Sequence, residues 1–63
     1  MSELFPITLA DMVRETEREL ALRRRVYPRW VAEGRMKAHH AERQIALMEA
    51  ISVELQRRQD REV

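Results

Sequence analysis

A single glycine, Gly34, separates two long stretches in which apolar residues recur at intervals of three and four. Glycine is favoured just after the last residue of a helix because it adopts a left-handed conformation without a steric penalty. The chain has no other glycine and two prolines, and it is rich in Ala, Leu, Arg, Glu and Met, which are good helix formers. The sequence therefore predicts an all-α fold of two helices joined at Gly34.

The first stretch predicts a helix over residues 8–33. Thr8 is placed to act as its N-cap, and Asp11 stands at the third helical position, as in a capping box. At about 100° per residue the apolar positions cluster on one face, with Thr16 and Arg23 inside the same stripe. These positions are Leu9, Met12, Val13, Leu20, Tyr27, Trp30 and Val31.

Pro28 lies inside this predicted helix. It has no N–H to donate to the carbonyl of Arg24, and its ring crowds that carbonyl. Because Trp30 and Val31 stay in phase with Leu20, we expect one helix that is kinked near Tyr27–Pro28. The alternative is a break, with Pro28 as the first residue of a short second helix.

The second stretch predicts a helix over residues 37–58, after a turn at 34–37. Lys37 cannot cap this helix as Ser or Thr would. Residues 1–7 are expected to form an arm that folds back through Leu4, Phe5 and Ile7, and residues 59–63 a frayed tail. The whole chain is then one antiparallel αα-hairpin domain, residues 1–63. The inward positions of the second helix are Ala38, Ala41, Ile45, Met48, Ser52 and Leu55.

Each predicted helix carries more apolar surface than one partner helix can cover. A large exposed apolar patch usually marks an interface. We therefore expect a homo-oligomer, most simply a two-fold dimer that forms a four-helix bundle. The alternative is that this surface receives a different protein. The expected interface consists of Leu20, Leu22, Val26, Trp30, Leu47, Met48, Ile51 and Leu55.

Composition argues against several classes of function. Twelve basic and eleven acidic residues give a net charge of +1, so a protein that coats nucleic acid is not expected. There is no cysteine, no glycine-rich phosphate loop, and the adjacent His39 and His40 point about 100° apart. We expect no catalytic residue, metal or cofactor. The chain has neither a membrane-length apolar run nor a basic signal-peptide start, which favours the cytoplasm.

Arg23 is a charged residue in the apolar stripe, and a buried guanidinium needs a partner. Glu19, Glu42 or Glu49 could pair with it and fix the register of the helices. Alternatively, Arg23 could line a cavity in which an anionic ligand completes its hydrogen bonds. The first interpretation is preferred.

A group of basic residues surrounds the kink and the turn, close to two aromatic rings. Cations, arginine–aromatic stacking and the free N–H groups of a helix start all favour anions. The simpler interpretation is that Tyr27 and Trp30 anchor the core while the arginines are solvated or paired with Glu. The candidate ligand-binding residues are Arg24, Arg25, Tyr27, Arg29, Arg35, Lys37 and Arg43.

The run ELALRRRVYPRWVAEGRM followed by AERQIALMEAI resembles a group of small, mostly uncharacterised helical proteins of tailed phages and prophages. Such proteins more often have Thr or Ser where Lys37 stands. The resemblance brings no catalytic residue, and it implies action by binding in the cytoplasm of a host cell. It is carried by Arg24, Val26, Tyr27, Pro28, Val31, Gly34, Met36, Ala41, Ile45, Met48, Glu49, Ala50 and Ile51.

Three functional hypotheses follow, in this order. The first is a non-enzymatic, counter-defence type of protein that sequesters an anionic, nucleotide-like ligand at the kinked end. The second is an inhibitor or adaptor that contacts a host protein through Leu22, Val26, Leu47 and Ile51. The third is a DNA-binding regulator, which ranks last because acidic residues interrupt the basic ones along both helices.

Overall fold

The computed structural model describes residues 6–62 and contains two helices, α1 (Leu9–Ala32) and α2 (Ala38–Arg61), within this range. The two helices pack against each other. Their contacts run in opposite directions along the chain, since Glu17 meets Gln56 while Arg24, farther along α1, meets Glu49, which comes earlier in α2. The prediction of an all-α antiparallel hairpin is confirmed for the described residues. Neither helix is long and apolar enough to cross a membrane.

The start of α1 is the predicted capping box. The backbone N–H of Asp11 donates to Thr8 Oγ1, and the backbone N–H of Thr8 donates to Asp11 Oδ2, each at 3.0 Å. These two bonds satisfy donors that the first turn of a helix otherwise leaves free.

Pro28 lies within α1, which continues on both sides of it. A second helix beginning at Pro28, the alternative considered above, does not form. The loss of one N–H donor is tolerated because the residues on either side remain on the packed stripe and keep the helix in register. The kink itself stays a prediction.

Gly34 ends α1 as the sequence predicted. Its φ of 76° lies in the left-handed region, and its N–H donates to the carbonyl of Val31 at 3.0 Å. The N–H of Arg35 donates to the carbonyl of Trp30 at 2.8 Å. This pair of bonds is a Schellman motif, which satisfies the last carbonyls of α1 and reverses the chain.

The two ends of α2 differ from the prediction in one respect. Lys37 occupies the N-cap position and makes no side-chain cap, as expected. At the other end the helix continues to Arg61 and does not fray after Arg58. Arg58 and Arg61 lie in the last turn, where positive charge interacts favourably with the helix dipole.

The arm was also predicted differently. Of the three residues expected to fold back, Leu4 and Phe5 lie outside the described residues, and Ile7 is exposed. The hairpin is one layer thick and offers Ile7 no second layer to pack against.

The core of the hairpin is small. The principal extents of the molecule are 42 × 28 × 13 Å, and the smallest is close to the diameter of a single helix. Small side chains at Ala41 and Ser52 let the helices approach each other, and Gln56 donates a hydrogen bond to the buried Ser52 hydroxyl. The other predicted core residues are at best half-buried. The buried residues are Val13, Leu20, Ala41 and Ser52.

Candidate functional site

A single layer of two helices has two broad faces, and side-chain contacts between the helices identify one of them. Arg24 pairs with Glu49, and Gln56 Nε2 donates to Glu17 Oε2 at 3.0 Å. Both contacts lie on the same side of the contact line, because Arg24 follows Glu17 by seven residues and Glu49 precedes Gln56 by seven, two turns in each case. We call this side, with its four residues Glu17, Arg24, Glu49 and Gln56, the bridged face.

The opposite side is marked by Arg23, whose Nη1 donates to the backbone carbonyl of Gln44 at 2.9 Å. Helical phase places Val26 and Trp30 beside Arg23, and Leu47 and Ile51 beside Gln44. We call this side the apolar face. It consists of Met12, Leu22, Val26 and Trp30 from α1 and Leu47, Met48, Ile51 and Leu55 from α2.

The apolar face has a shallow cleft on each helix. The α1 cleft, of about 240 Å³, has Leu22, Val26 and Trp30 on its walls together with Arg23 and Glu19. The α2 cleft, of about 380 Å³, is lined by Leu47, Ala50, Ile51, Glu54, Leu55 and Arg58. Since Met12, Leu22, Leu47 and Ile51 are large hydrophobic residues left exposed, this side of the hairpin is incompletely covered.

Arg23 is held between the helices and does not reach into open solvent. Its side chain is 19% exposed, and its Nε donates to Glu19 Oε2 at 2.9 Å. The guanidinium also lies over the Tyr27 ring, with Cζ 5.9 Å from the ring centroid. Of the three candidate carboxylates the partner is Glu19, from the same helix. The Arg–Glu pair is therefore present, but it lies within α1 and cannot fix the register between the helices; the contact of Arg23 with α2 is the one to the Gln44 carbonyl. The pair also forms part of the wall of the α1 cleft.

At the turn, Arg35 and two aromatic rings form a stack. Tyr27 and Trp30 lie 5.8 Å apart between ring centroids at an interplanar angle of 26°. The Arg35 Cζ lies 5.0 Å from the Trp30 centroid, while Arg35 Nη1 is 3.3 Å from Glu33 Oε1. The turn residues Gly34, Arg35, Met36 and Lys37 surround a depression of about 330 Å³, which has two cations in its lining.

The predicted anion-binding residues do not converge on this depression. Arg24 forms an ion pair with Glu49. Of the seven predicted residues, only Arg35 and Lys37 line the depression. Arg25, Arg29 and Arg43 are exposed. Helical phase puts Arg25 and Arg29 on the outer edge of α1 and Arg43 on the outer edge of α2, at opposite sides of the hairpin.

Tyr27 borders a different cleft, on the bridged face near the turn. This cleft has a volume of about 280 Å³, and Glu42 is the charged group in its lining. A carboxylate at the rim of an apolar cleft opposes the binding of an anion. The lining residues are Tyr27, Pro28, Val31, Ala38, Ala41, Glu42 and Ile45.

The carboxylates whose pKa values are shifted, Asp11 and Glu15, lie outside these clefts. Hydrogen bonds from the backbone and side chain of Thr8 hold the pKa of Asp11 below its ordinary value. The hydrogen bond from Arg18 lowers the pKa of Glu15, and the same contact raises the pKa of Arg18. These are local pairs within one helix. His39 and His40 are exposed, and residues 6–62 contain no group of three metal-ligating side chains.

Two features of the apolar face were missed in the sequence. Met12 was assigned to the core but is exposed. Its spacing of fourteen residues from Val26, about four turns along the same side of α1, was the available signal. Leu20 was assigned both to the packed stripe of the first helix and to the oligomer interface. It is buried between α1 and α2, so it belongs to the core of one chain.

Comparison of the chain with protein-family models, curated protein sequences and solved structures finds no match.

Proposed function

We propose that the protein is a non-enzymatic protein-binding module whose working surface is the apolar face, and that it acts as a homo-oligomer. The observation that carries this proposal is that four of the six exposed large hydrophobic side chains among the described residues lie on one side of a layer only one helix thick; these four are Met12, Leu22, Leu47 and Ile51. Burial of apolar surface is the main driving force of helix association in water. Two such layers, stacked through this face, make a four-helix bundle.

The proposed biological role is that of an inhibitor or adaptor acting on another protein. This hypothesis precedes anion capture because the arginines spread over both edges of the hairpin, whereas Met12, Leu22, Leu47 and Ile51 lie together on the apolar face. If the chain is phage-encoded, as its resemblance implies, the other protein belongs to the host, and the cytoplasm of the host cell is where the two meet.

Ile51 and Val53 provide a matched test. Both are aliphatic residues of α2 with similar exposure, 46% and 48%, but Ile51 lies on the apolar face and Val53 lies beside Glu49 on the bridged face. Ile51→Glu should weaken self-association at least about a hundredfold, because an unpaired carboxylate is costly to bury. Val53→Glu should leave it unchanged.

The measurement is light scattering coupled to size exclusion, with far-ultraviolet circular dichroism to verify that both variants keep their helices. Wild type and Val53→Glu should exceed the monomer mass of 7.6 kDa at a concentration where Ile51→Glu does not. A wild type that stays monomeric and folded at high concentration contradicts the self-association. The same pair of variants tests a host partner, which Val53→Glu should retain and Ile51→Glu should lose.

Capture of an anionic, nucleotide-like ligand is the second candidate. The observation that favours it is the turn depression lined by Arg35 and Lys37 next to the uncapped start of α2. Calorimetric titration with a panel of cyclic and linear nucleotides tests it, with Arg35→Gln as the control that should abolish the heat. Absence of heat with every nucleotide at micromolar protein rejects this candidate.

A further inference from the structure

The basic and acidic residues are unevenly distributed along the hairpin. We divide the described chain at the midpoint of each helix into a turn half, residues 21–49, and an open half, residues 6–20 and 50–62. The turn half contains seven basic and three acidic residues, which gives a formal charge of +4. The open half contains five basic and seven acidic residues, which gives −2. The hairpin therefore has a positive end and a negative end. Its longest dimension is 42 Å.

Two hairpins can stack through the apolar face about a two-fold axis in two orientations. If the axis runs along the hairpin, turn lies over turn and α1 of one chain covers α2 of the other. If the axis runs across the hairpin, the turn half of each chain covers the open half of the other, and each helix covers its own copy in antiparallel orientation. Both orientations are isologous and bury the same apolar face.

Charge distinguishes these two orientations. Packed helices lie about 8–10 Å apart, which is close to the screening length of about 8 Å at physiological ionic strength. Charged side chains that border the apolar face therefore interact across the interface, whereas those on the bridged face lie farther from the partner. The turn-over-turn orientation brings two halves of charge +4 together, whereas the crossed orientation places each +4 half against a −2 half. Electrostatic complementarity of this kind selects orientation more than it adds affinity.

We propose that the apolar face receives a second copy of this chain in antiparallel orientation, so that the turn half of each protomer covers the open half of its partner. This inference rests on the proposed self-association and adds its geometry. It makes α1 pack on the partner's α1 and α2 on the partner's α2.

Residue pairs across the interface follow from this geometry. Gln44 and Leu55 are equally far from the midpoint of α2, Gln44 on the turn side and Leu55 on the open side. In the antiparallel dimer, Gln44 of one chain therefore faces Leu55 of the other. In the turn-over-turn orientation Gln44 instead faces α1 of the partner near Val26, because Gln44 is level with Arg23, one turn from Val26.

The chain has no cysteine, so single-cysteine variants report these distances without background. Gln44→Cys keeps the carbonyl that accepts from Arg23, because only the side chain changes. Two equimolar mixtures are prepared, Gln44→Cys with Leu55→Cys and Gln44→Cys with Val26→Cys. Each is held at low protein concentration so that the chains exchange partners, and is then concentrated and oxidised. Disulfide formation requires Cβ atoms within about 4.5 Å, so it separates the two orientations.

The antiparallel geometry predicts a covalent heterodimer in the Gln44→Cys and Leu55→Cys mixture and none in the Gln44→Cys and Val26→Cys mixture. The reverse pattern overturns the inference and leaves the proposed function intact. Dimers in light scattering without a disulfide in either mixture also overturn it, since the chains then meet elsewhere. A monomeric wild type contradicts the proposed self-association itself. The experiment therefore distinguishes a wrong geometry from the absence of a dimer.

Salt dependence gives an independent readout on the unmodified chain. The antiparallel dimer should dissociate more readily as the salt concentration rises from about 0.02 M to about 0.5 M, because screening removes the attraction between unlike halves. A dimer that tightens over this range has like halves together and contradicts the inference.

Discussion

The two faces of the hairpin are built from neighbouring residues of one sequence and differ in what covers them. On the bridged face, exposed ionic and polar side chains reach across the helix boundary, as Arg24 does to Glu49. On the apolar face, one residue earlier in the chain, Arg23 bonds to the carbonyl of Gln44 and lies among hydrophobic residues. The comparison shows that polar side chains join the two helices on the bridged face, whereas large hydrophobic side chains stay exposed on the apolar face.

The largest expected effect on the free energy of unfolding comes from comparing a core residue with a residue of the apolar face. Leu20 is buried between the helices, whereas Leu47 is 40% exposed on the apolar face. Leu20→Ala should lower the free energy of unfolding by about 2–4 kcal/mol, since it removes a buried side chain and leaves a cavity. Leu47→Ala should have a much smaller effect on a dissociated chain and should weaken the oligomer.

Chemical denaturation followed by circular dichroism, repeated over a range of protein concentrations, separates the two contributions. Equal losses for Leu20→Ala and Leu47→Ala at the lowest concentration would show that the apolar face is part of the core of a single chain.

The next effect compares the two arginines directly. Arg23→Ala leaves Glu19 without its partner in a partly buried position, and should cost about 1–2 kcal/mol of unfolding free energy. Arg24→Ala breaks an exposed pair with Glu49 and should cost less than about 1 kcal/mol, with a loss that shrinks as salt is added.

Thermal unfolding of both variants at low and high salt measures this difference. Since each substitution replaces Arg by Ala in the same helix, helix propensity is matched and the face is the variable. A larger loss from Arg24→Ala would contradict the expectation that the partly buried Arg23 contacts contribute more to stability than the exposed Arg24–Glu49 pair.

A smaller effect is expected at the α1 start, which lies on neither face. Thr8→Ala removes the side-chain half of the capping box and should cost about 1 kcal/mol. Light scattering should show the same oligomer as in the wild type. A change in mass would mean that the start of α1 contributes to the interface.

The smallest effect is the pH dependence of this cap. Because hydrogen bonds from Thr8 hold the pKa of Asp11 below 3.8, its ordinary value, the charged carboxylate stabilises the folded chain above that pH. The contribution is lost as the pH falls through the lower, folded-state pKa. The stability gap between wild type and Asp11→Asn should therefore be present at neutral pH and close on acidification. A gap that stays constant in acid contradicts the assigned role of Asp11.

Local signals in the sequence were reliable because they depend on neighbours in the chain. Thr8 and Asp11 are three residues apart, and Gly34 needs only its own missing side chain to adopt a positive φ. The end of α2 was less predictable. Residues 59–61 are polar, and Asp60 and Arg61 are charged, but charge does not terminate a helix when the last turn carries arginines that suit its dipole.

The candidate site was harder to predict, because it depends on which residues of two helices end on the same side. Clustering in the sequence suggested one anion site, formed by Arg24, Arg25, Tyr27, Arg29, Arg35, Lys37 and Arg43. In the hairpin, Arg24 is paired with Glu49, and Arg25 and Arg43 lie on opposite outer edges. Adjacent residues on a helix point about 100° apart, so proximity in the chain does not mean a shared surface.

By itself, the sequence determined the all-α class, the capping box of α1, the left-handed turn at Gly34 and an excess of apolar surface, since periodicity and local hydrogen bonding encode all four. Only the tertiary structure decided that Leu20 is covered within one chain while Met12, from the same predicted stripe, is left exposed on its surface. The physical reason is that burial depends on the rotation of each helix about its own axis when the two pack. That rotation is set by small residues at Ala41 and Ser52 and by long-range contacts such as Arg23 to Gln44.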